Sequence, residues 1–155
     1  MQKSKNAFTM IELVFVIVIL GILAAVAVPR LAATRTDAQI AKGRTGIASL
    51  RSAIMTERQS RLIKGDNKYI EAGVGVGQLD ETSLFNGVLT YGITDSATAG
   101  HWTSIAHPDV NNSTYDYNVA GTTIRFAYSR ANGIFTCDKT AGTAKQKEYC
   151  ASLID

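Results

Sequence analysis

The chain has 155 residues, 46% of them hydrophobic, with 16 basic and 13 acidic side chains and a net charge of +3. That length holds one ordinary domain, and so small an excess of positive charge argues against a dedicated nucleic-acid-binding protein. The charge is unevenly placed: +1 over residues 1–29, +6 over 30–64 and −4 over 65–155.

The opening segment, MQKSKNA, carries only Lys3 and Lys5 as charged side chains. Phe8 to Pro29 follows as FTMIELVFVIVILGILAAVAVP, in which Glu12 is the one ionisable side chain. The 21 residues from Phe8 to Val28 would form a helix roughly 31 Å long, against a bilayer core of about 30 Å. The lysines before it would stay in the cytoplasm by the positive-inside rule. An acidic group inside such a span costs about 2.5–3.5 kcal/mol when unpaired. Glu12 must therefore sit in the headgroup layer or meet a cation. Ala25-Val26-Ala27 would suit an ordinary signal peptidase, which is the competing reading of the same segment.

The helix is expected to continue past Pro29, which can kink it without ending it. Ile40, Ile47, Leu50 and Ile54 make one apolar face, with Gly43 on it allowing close approach. Gly65-Asp66-Asn67 ends the pattern, so the spacing predicts one helix over 8–64. Arg44, Arg51 and Arg58 repeat at seven as a basic stripe, either solvated or aimed at the acidic parts of neighbouring molecules, with nucleic-acid binding a third reading that the small net charge disfavours. Residues 65–87 read as a loop; its Gly73, Gly75 and Gly77 lack the context of a phosphate-binding turn. Strands are predicted at 88–93, 115–119, 122–129 and 134–137, with a turn at Ala120-Gly121 and a hairpin signal at Asn132-Gly133. Residues 94–113 read as a long polar loop. An antiparallel sheet with one apolar face would cover the amphipathic half of the helix. Cys137 and Cys150 fit one bridge in an oxidising compartment, with free thiols or a metal site as alternatives. The metal alternative is disfavoured because His101 and His107 lie far upstream. Asn111 and Asn112 are overlapping Asn-x-Ser/Thr acceptors, the first with Asp109 two places ahead. Asp80-Glu81 and Asp109 with Asp116 match no calcium-loop spacing. No nucleophile, base and orienting group converge, so no enzyme and no cofactor are expected.

KNAFTMIELVFVIVILGILAAVAVPRL resembles the N-terminus of type IV pilins and of the pseudopilins of type II secretion. Members have a short basic leader, a small residue, Phe, Thr-Leu-Ile-Glu and an apolar helix with a distal Pro. This chain has Ala7, Phe8, Thr9-Met10-Ile11-Glu12 and Pro29 at those positions, with Ala7 where Gly is usual. The resemblance implies an α+β pilin fold, one long N-terminal helix packed on a C-terminal antiparallel β-meander. It divides the chain into a leader (1–7), a membrane or filament-core helix half (8–29), an amphipathic half (30–64) and a head (65–155). It further implies cleavage between Ala7 and Phe8 by a prepilin peptidase, N-methylation of Phe8, and neutralisation of a neighbouring copy's terminal ammonium by Glu12. A disulfide-bounded C-terminal loop is common in type IV pilins, which favours a Cys137–Cys150 bridge. The partners implied are a homo-polymer or mixed filament, membrane lipid before assembly, and an inner-membrane platform driven by a separate ATPase; some pilins mediate DNA uptake, but the small net charge disfavours nucleic acid as a partner. The precursor would be a single-pass inner-membrane protein, and the product an extracellular pilus or a periplasmic pseudopilus. A membrane-tethered binding domain that never polymerises is the remaining alternative.

Overall fold

The computed structural model describes residues 8–74, 78–80, 83–109 and 112–155. Ala7, Gly75, Gly77, Glu81 and Asn111 lie outside the described residues. The chain divides into two compact units with the boundary between Thr36 and Asp37. The layout is α+β: helix α1 (Met10–Ile63) is followed by strands β1 (Glu71–Val74), β2 (Gln78–Asp80), β3 (Trp102–Asp109), β4 (Asn112–Val119), β5 (Thr122–Ser129) and β6 (Ile134–Cys137), then helix α2 (Ala144–Ile154).

In the first unit α1 is helical from Met10 onward and passes through Pro29. Its apolar side chains bury nothing within the unit; Leu13 to Val28 are exposed throughout. Proline brings no N–H, so the carbonyl of Ala25 receives no helical bond from residue 29.

In the second unit the face predicted for α1 is the one that is buried: Gly43, Ile47, Leu50 and Ile54. A methyl group at Gly43 would stand 2.5 Å from Leu153 Cδ2 and 2.6 Å from Tyr117 Cε1, so only glycine lets the helix lie this close. The sheet beneath is an antiparallel meander in the order β3-β4-β5-β6. Tyr115, Tyr117, Ile124, Phe126, Tyr128 and Phe135 point into the shared core. Phe126 stacks on Phe135 at 5.3 Å and meets Trp102 edge-on at 5.1 Å, arrangements that add to simple burial. Ala120 and Gly121 both take positive φ, 50° and 80°, which makes the two-residue turn between β4 and β5. Alanine is strained there, and the Ala120 N–H is held by Gln39 Oε1 at 2.8 Å.

Three local expectations fail. Residues 88–93 form no strand. The Val88 and Leu89 amides both turn back to the Phe85 carbonyl, at 3.2 and 2.8 Å, and the segment keeps a single bridge between Leu84 and Ile93. Val88, Leu89 and Ile93 pack on the core from this turn, so they read as strand by composition alone. The polar stretch 94–113 contains β3, because Trp102 buries among Tyr117, Phe126 and Phe135 and the following residues pair with β4. The segment 65–87 contributes β1 and β2, a short parallel pair in its own sheet. The tail after Cys137 ends in α2, opened by a reciprocal box in which Gln146 N–H donates to Thr143 Oγ1 and Thr143 N–H to Gln146 Oε1.

Candidate functional site

The start of α1 is built by the same device as α2. Thr9 precedes the first helical residue, Met10, and Glu12 stands three residues after it. Glu12 Oε2 accepts from the Thr9 N–H and from the Thr9 hydroxyl, both at 2.9 Å, while the Glu12 N–H donates to Thr9 Oγ1 at 3.3 Å. Thr9-Met10-Ile11-Glu12 is therefore a capping box, a role for Glu12 that its position in an apolar run does not announce. An acid in the first turn also suits the positive end of the helix dipole. Among the described residues only Oε2 is engaged, and the side chain is exposed. Phe8, just ahead of the box, is 84% exposed, and the large apolar side chains from Leu13 to Leu31 are exposed as well. One window of α1 is long and apolar enough to cross a membrane, and none of it is buried within the protein.

The basic stripe has a use within the chain that its spacing does not announce. Arg44 Nε donates to the Ser152 carbonyl and Arg51 Nε to the Phe135 carbonyl, the latter at 3.0 Å. Arg58 donates to the Asn67 carbonyl and lies 4.0 Å over the Tyr69 ring. The heptad stripe clamps its own head domain, and Arg51 caps a carbonyl of the short edge strand β6.

Cys137 and Cys150 are joined by a disulfide with Cα atoms 6.0 Å apart, tying β6 to α2. Asp138, next to it, turns the chain by accepting from the Thr140 hydroxyl at 2.6 Å and the Thr140 N–H at 2.7 Å. These bonds hold its carboxyl below the usual aspartate range. Of the acids weighed as calcium ligands, Asp80 and Asp116 are engaged within the chain. Asp80 is buried and accepts from the Phe85 N–H and the Tyr115 hydroxyl, each at 2.5 Å, holding Phe85 at its unusual φ of 63°. Asp116 takes both arms of Arg125, at 3.0 and 3.1 Å, which keeps the guanidinium above its ordinary value. His101 lies between the Thr98 hydroxyl at 3.0 Å and Lys42 Nζ at 3.5 Å. Asn112 is the exposed first residue of β4, opposite Asp109 at the end of the β3–β4 hairpin.

No curated protein and no solved structure gives a significant match to the chain. Residues 2–28 match the family model described as the prokaryotic N-terminal methylation motif. That match spans the basic leader, the Thr9–Glu12 box and nearly all of the exposed apolar helix. The chain thus carries the class III signal peptide of type IV pilins and pseudopilins.

Proposed function

We propose that this protein is the precursor of a structural subunit of a type IV pilus-like filament. The observation that carries the reading is the methylation motif running directly into a helix whose apolar side chains find no cover in their own chain. In this reading residues 1–7 are a cytoplasmic leader, removed between Ala7 and Phe8 by a prepilin peptidase that then methylates Phe8. Residues 8–29 hold the precursor in the inner membrane and later line the filament core; residues 30–64 carry the head, 65–155. Pro29 is the point at which the stem bends to suit either setting.

Cleavage leaves the Thr9 amide intact, so the capping box survives it. The free Oε1 of Glu12 then offers a place for the terminal ammonium of Phe8 on a neighbouring copy. Two charges that are costly apart in a dry filament core offset each other when paired. The Cys137–Cys150 bridge favours a pilus over the pseudopilus of a secretion system, since the major pseudopilins of that system commonly lack such a loop. The exposed acceptor Asn112 would face outward on the assembled surface.

Terminal sequencing and mass measurement of protein sheared from the cell surface test this. The expected result is an N-methylated Phe8 as the first residue, and loss of filaments in Glu12→Ala. A mature chain that starts at Met1, or after Ala27, overturns it. Export of other proteins failing on deletion, with no surface filament in the wild type, would favour the pseudopilus.

A further inference from the structure

The eight arginines of the chain divide by region. All six beyond Thr36 are engaged within the second unit, residues 37–155. Arg44, Arg51 and Arg58 hold carbonyls, Arg61 pairs with Glu57, Arg125 with Asp116 and Arg130 with Glu71. Arg30 and Arg35 are exposed, and among the described residues neither side chain donates a hydrogen bond or joins an ion pair. The nearby hydroxyls are turned inward: Thr34 donates to the Arg30 carbonyl at 2.9 Å and Thr36 to the Ala32 carbonyl at 3.2 Å. The guanidiniums are thus the polar groups this stretch presents outward.

Their height along the helix is informative. Counted from Val28, the end of the apolar run, Arg30 stands about 3 Å and Arg35 about 10 Å further along at 1.5 Å per residue. The polar layer on each side of a bilayer core is roughly 5–8 Å deep. Arg30 falls inside it, and the long stem of Arg35 reaches back into it. Five residues of helix separate the two by about 140° around the axis, so they meet different lipids. A guanidinium matches phosphate oxygens with two parallel hydrogen bonds.

We propose that Arg30 and Arg35 form a lipid-phosphate clamp that holds anionic phospholipid headgroups on the membrane face opposite the leader, fixing the depth of the stem before assembly. This rests on the membrane-inserted precursor proposed above. The test uses the full chain in neutral detergent with equal amounts of phosphatidylglycerol and phosphatidylcholine of the same acyl chains, with retained lipid counted by native mass spectrometry. Wild-type protein is expected to favour phosphatidylglycerol on the order of ten-fold. R30Q/R35Q should fall to parity, R30K/R35K should keep much of the preference, and K145Q/K147Q on the head should keep all of it. Parity in the wild type, or an undiminished preference in R30Q/R35Q, overturns the clamp. So does loss of the preference to excess inorganic phosphate, which would mark a free-phosphate site. Loss of filaments in R30Q/R35Q with the lipid preference intact also overturns it, because the arginines would then serve a subunit contact. Sedimentation of wild-type membranes separates the two levels. Protein in the pellet with parity sinks the clamp alone; protein in the supernatant sinks the membrane reading with it.

Discussion

The stem and the head use apolar residues in opposite ways. Residues 8–36 hold the most hydrophobic stretch of the chain and bury none of it. Residues 37–155 are apolar in a smaller proportion yet bury most of their large aromatics, with Phe85, Tyr115, Phe126 and Tyr128 all at 0% exposure. Burial of apolar area is what makes a fold stable, so the head's stability is internal. The stem draws no such stability from the described residues, and in the proposed function lipid or other copies supply it. The polar groups repeat the contrast: the head's arginines and buried acids are matched within it, whereas Arg30, Arg35 and one oxygen of Glu12 are left for partners.

Alkaline pH should break the head while sparing the stem. Burial pushes the Tyr117 and Tyr128 hydroxyls up from 10.0 to about 12, in Tyr128 against the opposing charges of Arg61 and Arg130. Tyr115 is pushed further in the same direction by burial and by Asp80 beside it. A raised folded-state pKa means that folding favours the protonated form. That contribution is complete below pH 10 and is lost as pH rises through about 12. The stem, residues 8–36, holds no tyrosine. In micelles, tyrosinate absorbance and near-ultraviolet circular dichroism should report cooperative loss of the head above about pH 10. A large helical signal should persist.

Single core truncations sharpen the same contrast. Phe126→Ala removes a ring at 0% exposure, stacked on Phe135 and edge-on to Trp102. It should cost about 3–5 kcal/mol of head stability in denaturant titration. Leu20→Ala removes a side chain that is 59% exposed and should leave the head midpoint unchanged, its effect appearing in filament yield. Smaller than the core loss is that of the bridge. Cys137 and Cys150 are separated by 13 positions, and C137S/C150S should lower head stability by about 3 kcal/mol in the chain-entropy account. Arg44 and Leu153 still hold α2 to the second half of α1 in that variant. The helix should therefore loosen rather than detach, read as faster amide exchange over 144–154.

What could be read from sequence follows the range of the interactions. The α1 face of Ile47, Leu50 and Ile54 was legible because helical periodicity is a local property. The β4–β5–β6 hairpins were legible through alternation and through turn residues at 120–121 and 132–133. β3 was not, because Ser104, Ala106, His107 and Pro108 interrupt the strand signal of its Thr103 and Ile105, and only the burial of Trp102 under the helix and its pairing with β4 fix it. The segment 88–93 erred the other way: its apolar residues satisfy the core from a turn set by Phe85, whose positive φ is held by a hydrogen bond to the buried carboxylate of Asp80 that composition does not announce. At the candidate site the apolar run and Glu12 stood out at once, but the cis role of Glu12 did not. The arginine stripe was visible, and its partners, carbonyls far along the chain, were not.

Both helices open with the same local signal, Thr-x-x-Glu at residues 9–12 and Thr-x-x-Gln at 143–146, and it supplies the smallest and cleanest comparison. The geometry of the two boxes is nearly equal, with hydroxyl-to-amide distances of 3.3 Å in each. Losing a threonine cap costs about 1 kcal/mol where the helix end is coupled to folding. α2 is so coupled through Leu153, Cys150 and the bond from Gln146 to the Thr123 carbonyl at 2.9 Å. Thr143→Ala should therefore lower the head midpoint by an amount corresponding to about 1 kcal/mol. Thr9→Ala should leave that midpoint where it is, because the first turn of α1 supports no packed core. Its effect should be local: fraying of residues 9–12 in micelles, seen as lost amide protection at Glu12, with the carboxylate released from its cis partner. Equal effects of the two substitutions on the head would mean that the stem is energetically part of it, and the division between an internally and an externally stabilised region would fail.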